Sequence, residues 1–322
     1  MRKIIFITLL IIFNSLLFSA QRQTDWQKGK LKGKVKEWTT IKYKIEDSFG
    51  ERVKKLERKI VKKYNNDGNK IEDGNYNPDG TLNIKELYKY NAQGNKIEKL
   101  TYHPPDNWLY SKSFYKYDAR NNLIEEATCV GNDDSLSFKI IYKYDAQNNI
   151  IEEDPYSRTS PIYNFFNGGK IFYKYDIKNN KIEESIYSRY GSLEVKYINK
   201  FDKYNKMIER LRYNSRMELS NNIYHIAKEL FSYDRFGNRI EKANYDDDGI
   251  LINKIFSKYD AQNNVVEETI YNGDGTISLK KNYKYDIKNN KIEKIVYRIE
   301  KKFGQTIEEL RGFTQYQYVY YD

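Results

Sequence analysis

The most reactive side chains in this 322-residue sequence belong to two histidines, His103 and His225, and one cysteine, Cys129. A histidine acts as a general base, or a cysteine as a nucleophile, only beside a partner group that tunes its proton affinity. Both histidines fall in irregular segments, and Cys129 stands where related segments carry a tyrosine. No glycine-rich phosphate loop, serine elbow or zinc-ligand spacing is present. We therefore expect a protein that is not an enzyme and needs no cofactor.

One segment has the ligand spacing of a calcium loop. Asn75, Asn77 and Asp79 alternate, Gly80 follows, and Glu86 stands in the twelfth place. Calcium loops of this type begin with an aspartate and lie between two helices, and both features are missing here. Asn-Pro-Asp-Gly is also a common β-turn sequence. We interpret the segment as a β-turn and predict no metal site.

Aromatic residues cluster where the regular pattern of the chain is interrupted. The candidate binding residues are Trp108, Tyr156, Tyr163, Phe165 and Phe166. Exposed aromatic side chains on loops that a rigid scaffold carries are a common arrangement for recognition. Their rings can stack on sugar rings or pack against a protein partner.

An internal repeat defines the elements that must position these residues. The second aromatic residue of a Tyr-x-Tyr-Asp motif recurs nine times, at spacings of 26 to 32 residues. We call these nine residues the motif aromatics: Tyr64, Tyr90, Tyr117, Tyr144, Tyr175, Phe201, Tyr233, Tyr259 and Tyr285. After each one, the next residue is Asp or Asn, the fourth is Gly or Asn, the seventh is Ile or Val, and the eighth is Glu. The fifth residue before it is always Lys.

These identities predict a β-hairpin. Asp or Asn first and Gly or Asn fourth is typical of a type I turn followed by a left-handed residue, as in Asp145–Asn148. A second turn, such as Asn77–Gly80, lies halfway to the next unit, so each unit supplies two strands. Both strand faces mix apolar and charged residues, which disfavours a sandwich. We expect an all-β fold, a long antiparallel hairpin meander of about 18–20 strands forming a twisted, curled repeat sheet.

The two ends of the array resemble one another. Tyr43–Glu46 and Tyr297–Glu300 share the sequence Tyr-basic-Ile-Glu, and each is followed by Phe-Gly. We expect longer terminal hairpins that cap the array at 31–322. The polar residues 21–30 are predicted to form a flexible leader.

The first 20 residues have the pattern of an export signal. Two basic residues precede an apolar run that is shorter than a membrane-spanning helix needs, and Ser19-Ala20 offers a cleavage point. An uncut N-terminal anchor is the alternative. Cleavage would leave no integral membrane span and would place the protein in the periplasm, on the outer surface or in the medium.

We interpret most of the basic charge as lysines on solvated strand faces, although such a surface would also suit acidic partners. The formal net charge of +11 becomes +9 once Arg2 and Lys3 are removed with the signal. A basic surface suits acidic polysaccharide or anionic lipid, whereas export argues against nucleic acid. The single cysteine excludes an internal disulfide.

The motif at Tyr117-Asp118, Tyr144-Asp145 and Tyr233-Asp234 resembles the tyrosine–aspartate (YD, Rhs-type) repeats, over about residues 40 to 322. That resemblance implies a spiralling antiparallel sheet. It also implies either carbohydrate binding or a shell around a toxin cargo. This chain departs from the family pattern because its near-constant apolar residue stands seven, not six, after the motif aromatic. A shift of one residue moves a side chain to the other face of a strand.

Together these features predict an exported, non-enzymatic repeat scaffold that binds a surface polysaccharide or a protein partner. The alternative is a component of a polymorphic-toxin system, with a shell-like or immunity role. An enzyme ranks last. The oligomeric state and the identity of the ligand stay open.

Overall fold

The computed structural model describes residues 23–106, 108–131, 135–157, 169–216, 223–302 and 305–322. This part of the chain contains one helical turn, α1 (Asp25–Lys28), and twenty β-strands. The strands are β1 (Val35–Ser48), β2 (Glu51–Tyr64), β3 (Lys70–Tyr76), β4 (Leu82–Tyr90), β5 (Lys96–His103), β6 (Trp108–Tyr117), β7 (Leu123–Val130), β8 (Leu136–Tyr144), β9 (Ile150–Ser157), β10 (Ile171–Tyr175), β11 (Lys181–Tyr187), β12 (Leu193–Phe201), β13 (Met207–Arg216), β14 (Ile223–Tyr233), β15 (Arg239–Tyr245), β16 (Leu251–Tyr259), β17 (Val265–Asn272), β18 (Ile277–Tyr285), β19 (Lys291–Lys302) and β20 (Gln305–Tyr320).

The strands form one closed sheet. Each strand pairs antiparallel with the next one in sequence, from β1 through to β20. The last strand, β20, also pairs with β1, from Val35 opposite Tyr320 to Lys44 opposite Gly312. The expected all-β antiparallel meander is therefore confirmed, with twenty strands. The open, curled sheet that we expected is instead closed.

Closure follows from the pairing of the two terminal hairpins. We expected the hairpins β1–β2 and β19–β20 to cap opposite ends of the array, and they pair with one another through β1 and β20. The right-handed twist of successive strands curves a long sheet. Joining its two edge strands satisfies backbone groups that would otherwise be left unpaired.

The predicted turns are confirmed. Asn148 has a φ of 65°, its N–H donates to the carbonyl of Asp145 (3.2 Å), and Asp145 Oδ1 accepts from the N–H groups of Gln147 and Asn149. The nine turns that follow the motif aromatics lie at one end of the closed sheet, which we call the turn end. The intervening turns, such as the one at Gly80, lie at the opposite end, which we call the far end.

A β-bulge follows each tight turn. Tyr144 pairs with Ile150 and Lys143 pairs with Glu152, so Ile151 has no partner of its own in this ladder. The bulge therefore absorbs the extra residue and returns the strand to register. The residue six after the motif aromatic consequently lies opposite that aromatic. The glutamate eight after it lies opposite a lysine in eight of the nine units and opposite Ser232 in the other.

One face of the sheet carries a ladder of ion pairs. Glu152 contacts Lys143 in its own hairpin (2.9 Å) and Lys170 in the next unit (2.8 Å). The same Lys–Glu–Lys arrangement recurs around Glu72, Glu125, Glu183 and Glu267. The lysines that directly precede the motif aromatics remain largely exposed, for example 57% at Lys143 and 67% at Lys116, so this is the outer face.

The other face, which carries the motif aromatics, is the inner one, and we call it the tyrosine face. Tyr64 and Tyr115 on this face are only 3% and 7% exposed. Contacts between strands run almost entirely between ladder neighbours. Closed sheets with many more than about eight strands are too wide for their own side chains to fill. The tyrosine face therefore lines an enclosed space. None of the described helical residues forms a segment long and apolar enough to cross a membrane.

Candidate functional site

The motif tyrosines join each repeat unit to the one before it. The hydroxyl of Tyr90 donates to the carbonyl of Lys70 (2.7 Å), and the hydroxyl of Tyr117 donates to that of Lys96 (2.8 Å). The same bond joins Tyr144 to Leu123, Tyr175 to Ile150, Tyr233 to Met207, Tyr259 to Arg239 and Tyr285 to Val265. The tyrosine that defines the repeat thus has a structural role.

Amide side chains link neighbouring turns at the turn end. Asn122 Nδ2 donates to Oδ1 of Asn148 (3.0 Å), which is the left-handed residue of the following turn. Equivalent bonds join Asn95 to Asn121, Asn149 to Asn179, Asn180 to Asn205, Asn238 to Asn263 and Asn264 to Asn289. These bonds hold the turns in a row.

A strap formed by residues 24–34 lies across part of the turn end. Its α1 helix begins with a capping box between Thr24 and Gln27. The indole N–H of Trp26 donates to the carbonyl of Val35 (2.7 Å), and its ring packs 6.4 Å from that of Tyr64. These contacts join Trp26 to β1 and to the end of β2, and the flexible leader over residues 21–30 stays a prediction.

Polar contacts fix both ends of the strap. Asp25 Oδ2 accepts from the backbone N–H of Lys70 (2.8 Å). It also lies 2.9 Å from the hydroxyl of Tyr90, whose one proton it shares with the carbonyl of Lys70. At the other end, Asn290 Oδ1 accepts from the N–H of Lys32, and Asn290 Nδ2 donates to the carbonyl of Lys32, both at 2.8 Å. The strap therefore fills the gap between the first and last turns of the array.

A cavity of about 1030 Å³ lies between the strap and the tyrosine face, and we call it the mouth pocket. Its lining comprises Gln27, Gly29, Lys30, Leu31, Lys32, Trp38, Thr40, Gln262, Asn263, Asn264, Val265, Glu268, Tyr283, Tyr285, Asn289, Asn290, Lys291, Tyr316 and Tyr318. These residues come from the strap, from strands β1 and β17–β20, and from the adjoining turns. The pocket therefore depends on the closure of β20 onto β1.

Aromatic rings form one wall of the mouth pocket. The Trp38 ring lies 6.2 Å from that of Tyr318, nearly parallel at 16°, and 6.4 Å from that of Tyr316. The Tyr318 hydroxyl donates to the carbonyl of Lys291 (2.8 Å), which fixes its orientation. Burial raises the pKa of Tyr285 to about 12, so its hydroxyl is a neutral donor at physiological pH.

The charged groups of the pocket are unequally paired. Burial raises the pKa of Glu268, but the Tyr283 hydroxyl (2.5 Å) and the Lys281 ammonium (3.3 Å) outweigh it and lower that pKa. Lys291 lies over the ring of Tyr283, with its ammonium 4.2 Å from the ring centre. Burial lowers the pKa of Lys291, and the ammonium of Lys294 adds to this effect. The site can therefore offer aromatic faces, amides and a half-buried cation.

Trp108 lies at the far end, away from the mouth pocket. Its side chain is 45% exposed, and its ring meets that of Tyr110 edge-on at 5.8 Å. His103 contacts the same tyrosine ring at 4.8 Å. These three rings form a small aromatic cluster, and ligand binding by Trp108 stays a prediction.

The structure keeps the other predicted binding residues apart from Trp108 or leaves them undescribed. Tyr156 is 55% exposed and lies opposite Lys139 on the outer face. Three ladder spacings, or about 14 Å, separate its strand β9 from β6. Tyr163, Phe165 and Phe166 lie outside the described residues.

The remaining candidates for chemistry lie in turns and strands of the described chain. Asp79 Oδ1 accepts from the N–H and hydroxyl of Thr81, as expected for a β-turn. Three consecutive carboxylates, at 246–248, come within 4.8 Å of one another, but Asp246 Oδ1 accepts two backbone N–H groups of its own turn. Cys129 is buried in β7, and His225 lies in β14.

Sequence reasoning missed the mouth pocket because the pocket needs strands from both ends of the chain. One signal was available in the position six after the motif aromatic. That position faces inward and is basic in five of nine units: Lys70, Lys96, Lys181, Arg239 and Lys291. A basic residue that recurs at this position on the tyrosine face indicates that charged groups line the interior.

No family model and no curated protein matches the chain. Among solved structures, it is similar to a chain in the crystal structure of TcdB2–TccC3–Cdc42 (14% identity, TM-score 0.35). It is also similar to the Photorhabdus luminescens Tc holotoxin pore (12% identity, TM-score 0.35). The alignments cover 80% and 79% of this chain, which spans only 15% of each of those chains.

A third similar structure is a porin-like protein from Bacteroides uniformis (7% identity, TM-score 0.34). That alignment covers 88% of this chain and 96% of the other. The resemblance to YD-repeat proteins therefore still rests on the repeated motif itself.

Proposed function

We propose that this protein is an exported, non-enzymatic scaffold that binds a polysaccharide in the mouth pocket. The observation that carries the proposal is the pocket wall of Trp38, Tyr316 and Tyr318, faced by amide side chains of the turns and the strap. Aromatic faces suit the apolar faces of sugar rings, and amides suit their hydroxyl groups. Its volume of about 1030 Å³ lies at the upper end of typical ligand pockets, about 300–1,000 Å³. A segment of several sugar units suits that size.

The single carboxylate in the described pocket lining favours binding over hydrolysis. Glycoside hydrolysis usually needs two carboxyl groups that flank the scissile bond. Glu268 is the one carboxylate in the described pocket lining, and it already accepts from Tyr283 and Lys281. The proposal of export rests on the signal-like pattern of residues 1–20.

A glycan-binding measurement on residues 21–322, with two matched variants, tests the proposal. Tyr316→Leu removes a ring from the pocket wall, whereas Tyr271→Leu removes an outer-face ring that packs on Phe256 at 5.5 Å. We expect Tyr316→Leu to weaken binding at least about tenfold, as at a typical aromatic hot spot, and Tyr271→Leu to leave it unchanged. A double variant, Trp108→Ala with Tyr156→Ala, tests the far-end aromatics in the same assay.

Three results would count against the proposal. If no glycan binds, the proposal is wrong. If Tyr316→Leu and Tyr271→Leu weaken binding equally, the loss reflects a general effect on the fold and not the pocket. If only the far-end variant loses binding, the binding site lies at the far end. The alternative function is a component of a polymorphic-toxin system. It predicts that a partner protein stays bound to this chain through purification and that no glycan binds.

A further inference from the structure

Four large apolar side chains project from tight turns at the turn end. Ile177 and Ile287 are each 101% exposed, and Tyr204 and Phe236 are 70% and 68% exposed. They occupy the two outermost positions of four of the last five turns. The same positions in the first four turns hold small or polar residues: Asn66, Asp67, Ala92, Gln93, Ala119, Arg120, Ala146 and Gln147. The apolar tips are thus concentrated on one side of the ring.

Each apolar tip has a basic residue beside it. The basic neighbours, all exposed, are Lys178, Lys203, Arg235 and Lys288. The aspartate of each turn lies behind the tip, because its carboxylate accepts backbone N–H groups. Asp176, for example, accepts from the N–H groups of Lys178 and Asn180, both at 2.9 Å. The tips therefore present apolar and cationic groups to the solvent.

The strap adds cations at the same end. Five exposed lysines alternate along it and into β1: Lys28, Lys30, Lys32, Lys34 and Lys36. The contacts of Lys32 with Asn290 place this row next to the turn that carries Ile287. The one acid of the strap, Asp25, contacts Tyr90 and Lys70.

We propose that the turn end docks on the surface of an anionic lipid bilayer, with the four apolar tips in the headgroup region and the lysines on lipid phosphates. Peripheral proteins combine apolar insertion with basic residues in this way. A soluble polyanion would use the cations and leave the tips in water, so the apolar tips favour a bilayer. The amide bonds between turns hold the tips in one row. Because Lys30 and Lys32 also line the mouth pocket, bilayer and polysaccharide would compete for the turn end, and the vesicle measurement is made without glycan. The far end, with Trp108 and Tyr156, stays open to the solvent.

Vesicle flotation with residues 21–322 tests the docking surface. The vesicles contain phosphatidylcholine alone or with about one third phosphatidylglycerol. The turn-end variant is Ile177→Ser with Ile287→Ser, and the matched control is Ile250→Ser with Ile252→Ser, two exposed isoleucines at the far end. We expect binding to the anionic vesicles only, on the order of tenfold weaker in the turn-end variant and unchanged in the control.

A second variant separates the charges from the apolar tips. Lys32→Gln with Lys34→Gln should also weaken vesicle binding, and should make it less sensitive to salt. Both lysines hold the strap through backbone groups, so thermal unfolding should be unchanged. Equal binding to neutral vesicles, or equal loss in the far-end control, would overturn the proposal. Binding to dextran sulfate but not to anionic vesicles would replace the bilayer with a soluble polyanion.

Discussion

At the scale of single residues, the repeated tyrosine acts through its hydroxyl as well as its ring. The chain contains its own comparison, because the sixth motif aromatic is Phe201, which has no hydroxyl. In that unit Asn199 Nδ2 donates to the carbonyl of Lys181 (2.7 Å), the atom that a tyrosine would have reached. The sequence thus replaces the donor where the hydroxyl is missing, which indicates that this carbonyl must be satisfied.

A structural role for the tyrosine hydroxyl predicts the effect of Tyr144→Phe. The hydroxyl of Tyr144 donates to the carbonyl of Leu123 (2.7 Å), and its removal leaves that acceptor without its partner. We expect the free energy of unfolding to fall by about 1–2 kcal/mol in urea titrations. Tyr204→Phe, at a turn tip that is 70% exposed, is the control and should change it by less than about 0.5 kcal/mol. Equal stability of both variants would contradict a structural role for the ladder.

At the scale of elements, substitutions at two turn glycines can distinguish the cost of backbone strain from the cost of disturbed packing against the strap. Gly68 and Gly80 both have positive φ, +79° and +87°. A Cβ at Gly68 would lie 2.6 Å from the ring of Trp26, whereas one at Gly80 would meet nothing within 4 Å.

Gly80→Ala should therefore cost about 1–2 kcal/mol of unfolding free energy, from the left-handed backbone alone. Gly68→Ala should cost more and should also displace the strap, so amide hydrogen exchange over residues 24–34 should become faster. Unchanged exchange in Gly68→Ala would show that the strap does not depend on this contact. Exchange that rises equally in Gly80→Ala would point to the same conclusion.

Local elements were predictable because their causes are local. The turn at Asp145–Asn148 is specified by an aspartate that accepts backbone N–H groups and an asparagine that tolerates positive φ. The alternation of Lys and Tyr before it defines the two faces of the strand. The sequence around Ile151 also repeats in every unit. That the bulge there returns Glu152 to the lysine face could not be deduced, because this depends on how β8 and β9 pair.

Closure and the mouth pocket were not predictable, because they join residues that are nearly 280 positions apart. The pairing of Val35–Lys44 with Gly312–Tyr320 has no counterpart in the spacing of the repeat. Trp38 and Tyr316 become neighbours only through this pairing. The candidate site was therefore sought at the breaks in the repeat, which lie elsewhere.

At the scale of the whole molecule, the ion-pair ladder predicts sensitivity to acid. Hydrogen bonds from flanking lysines lower the pKa values of Glu125, Glu152 and Glu267 below the ordinary 4.5. Carboxylates whose pKa is lower in the folded state stabilise it above their unfolded value, and this contribution is lost as the pH falls through the folded pKa. We expect the unfolding free energy to decline once the pH drops below about 4.5.

Urea titrations at pH 7, 5, 4 and 3 measure this decline. Glu152→Gln should lower stability at pH 7 and should show a shallower pH dependence, because one of the titrating groups is gone. Equal stability of the unsubstituted protein at pH 7 and pH 3 would remove the ladder as a source of stability.

The pairing of β20 with β1 has a consequence for how this repeat can change in evolution. An open solenoid gains or loses a unit at one end and alters only its length. Here each unit supplies two of the twenty strands, so one unit more or fewer changes the circumference by about one tenth. The copy number of the repeat is therefore tied to the diameter of the space that the tyrosines surround.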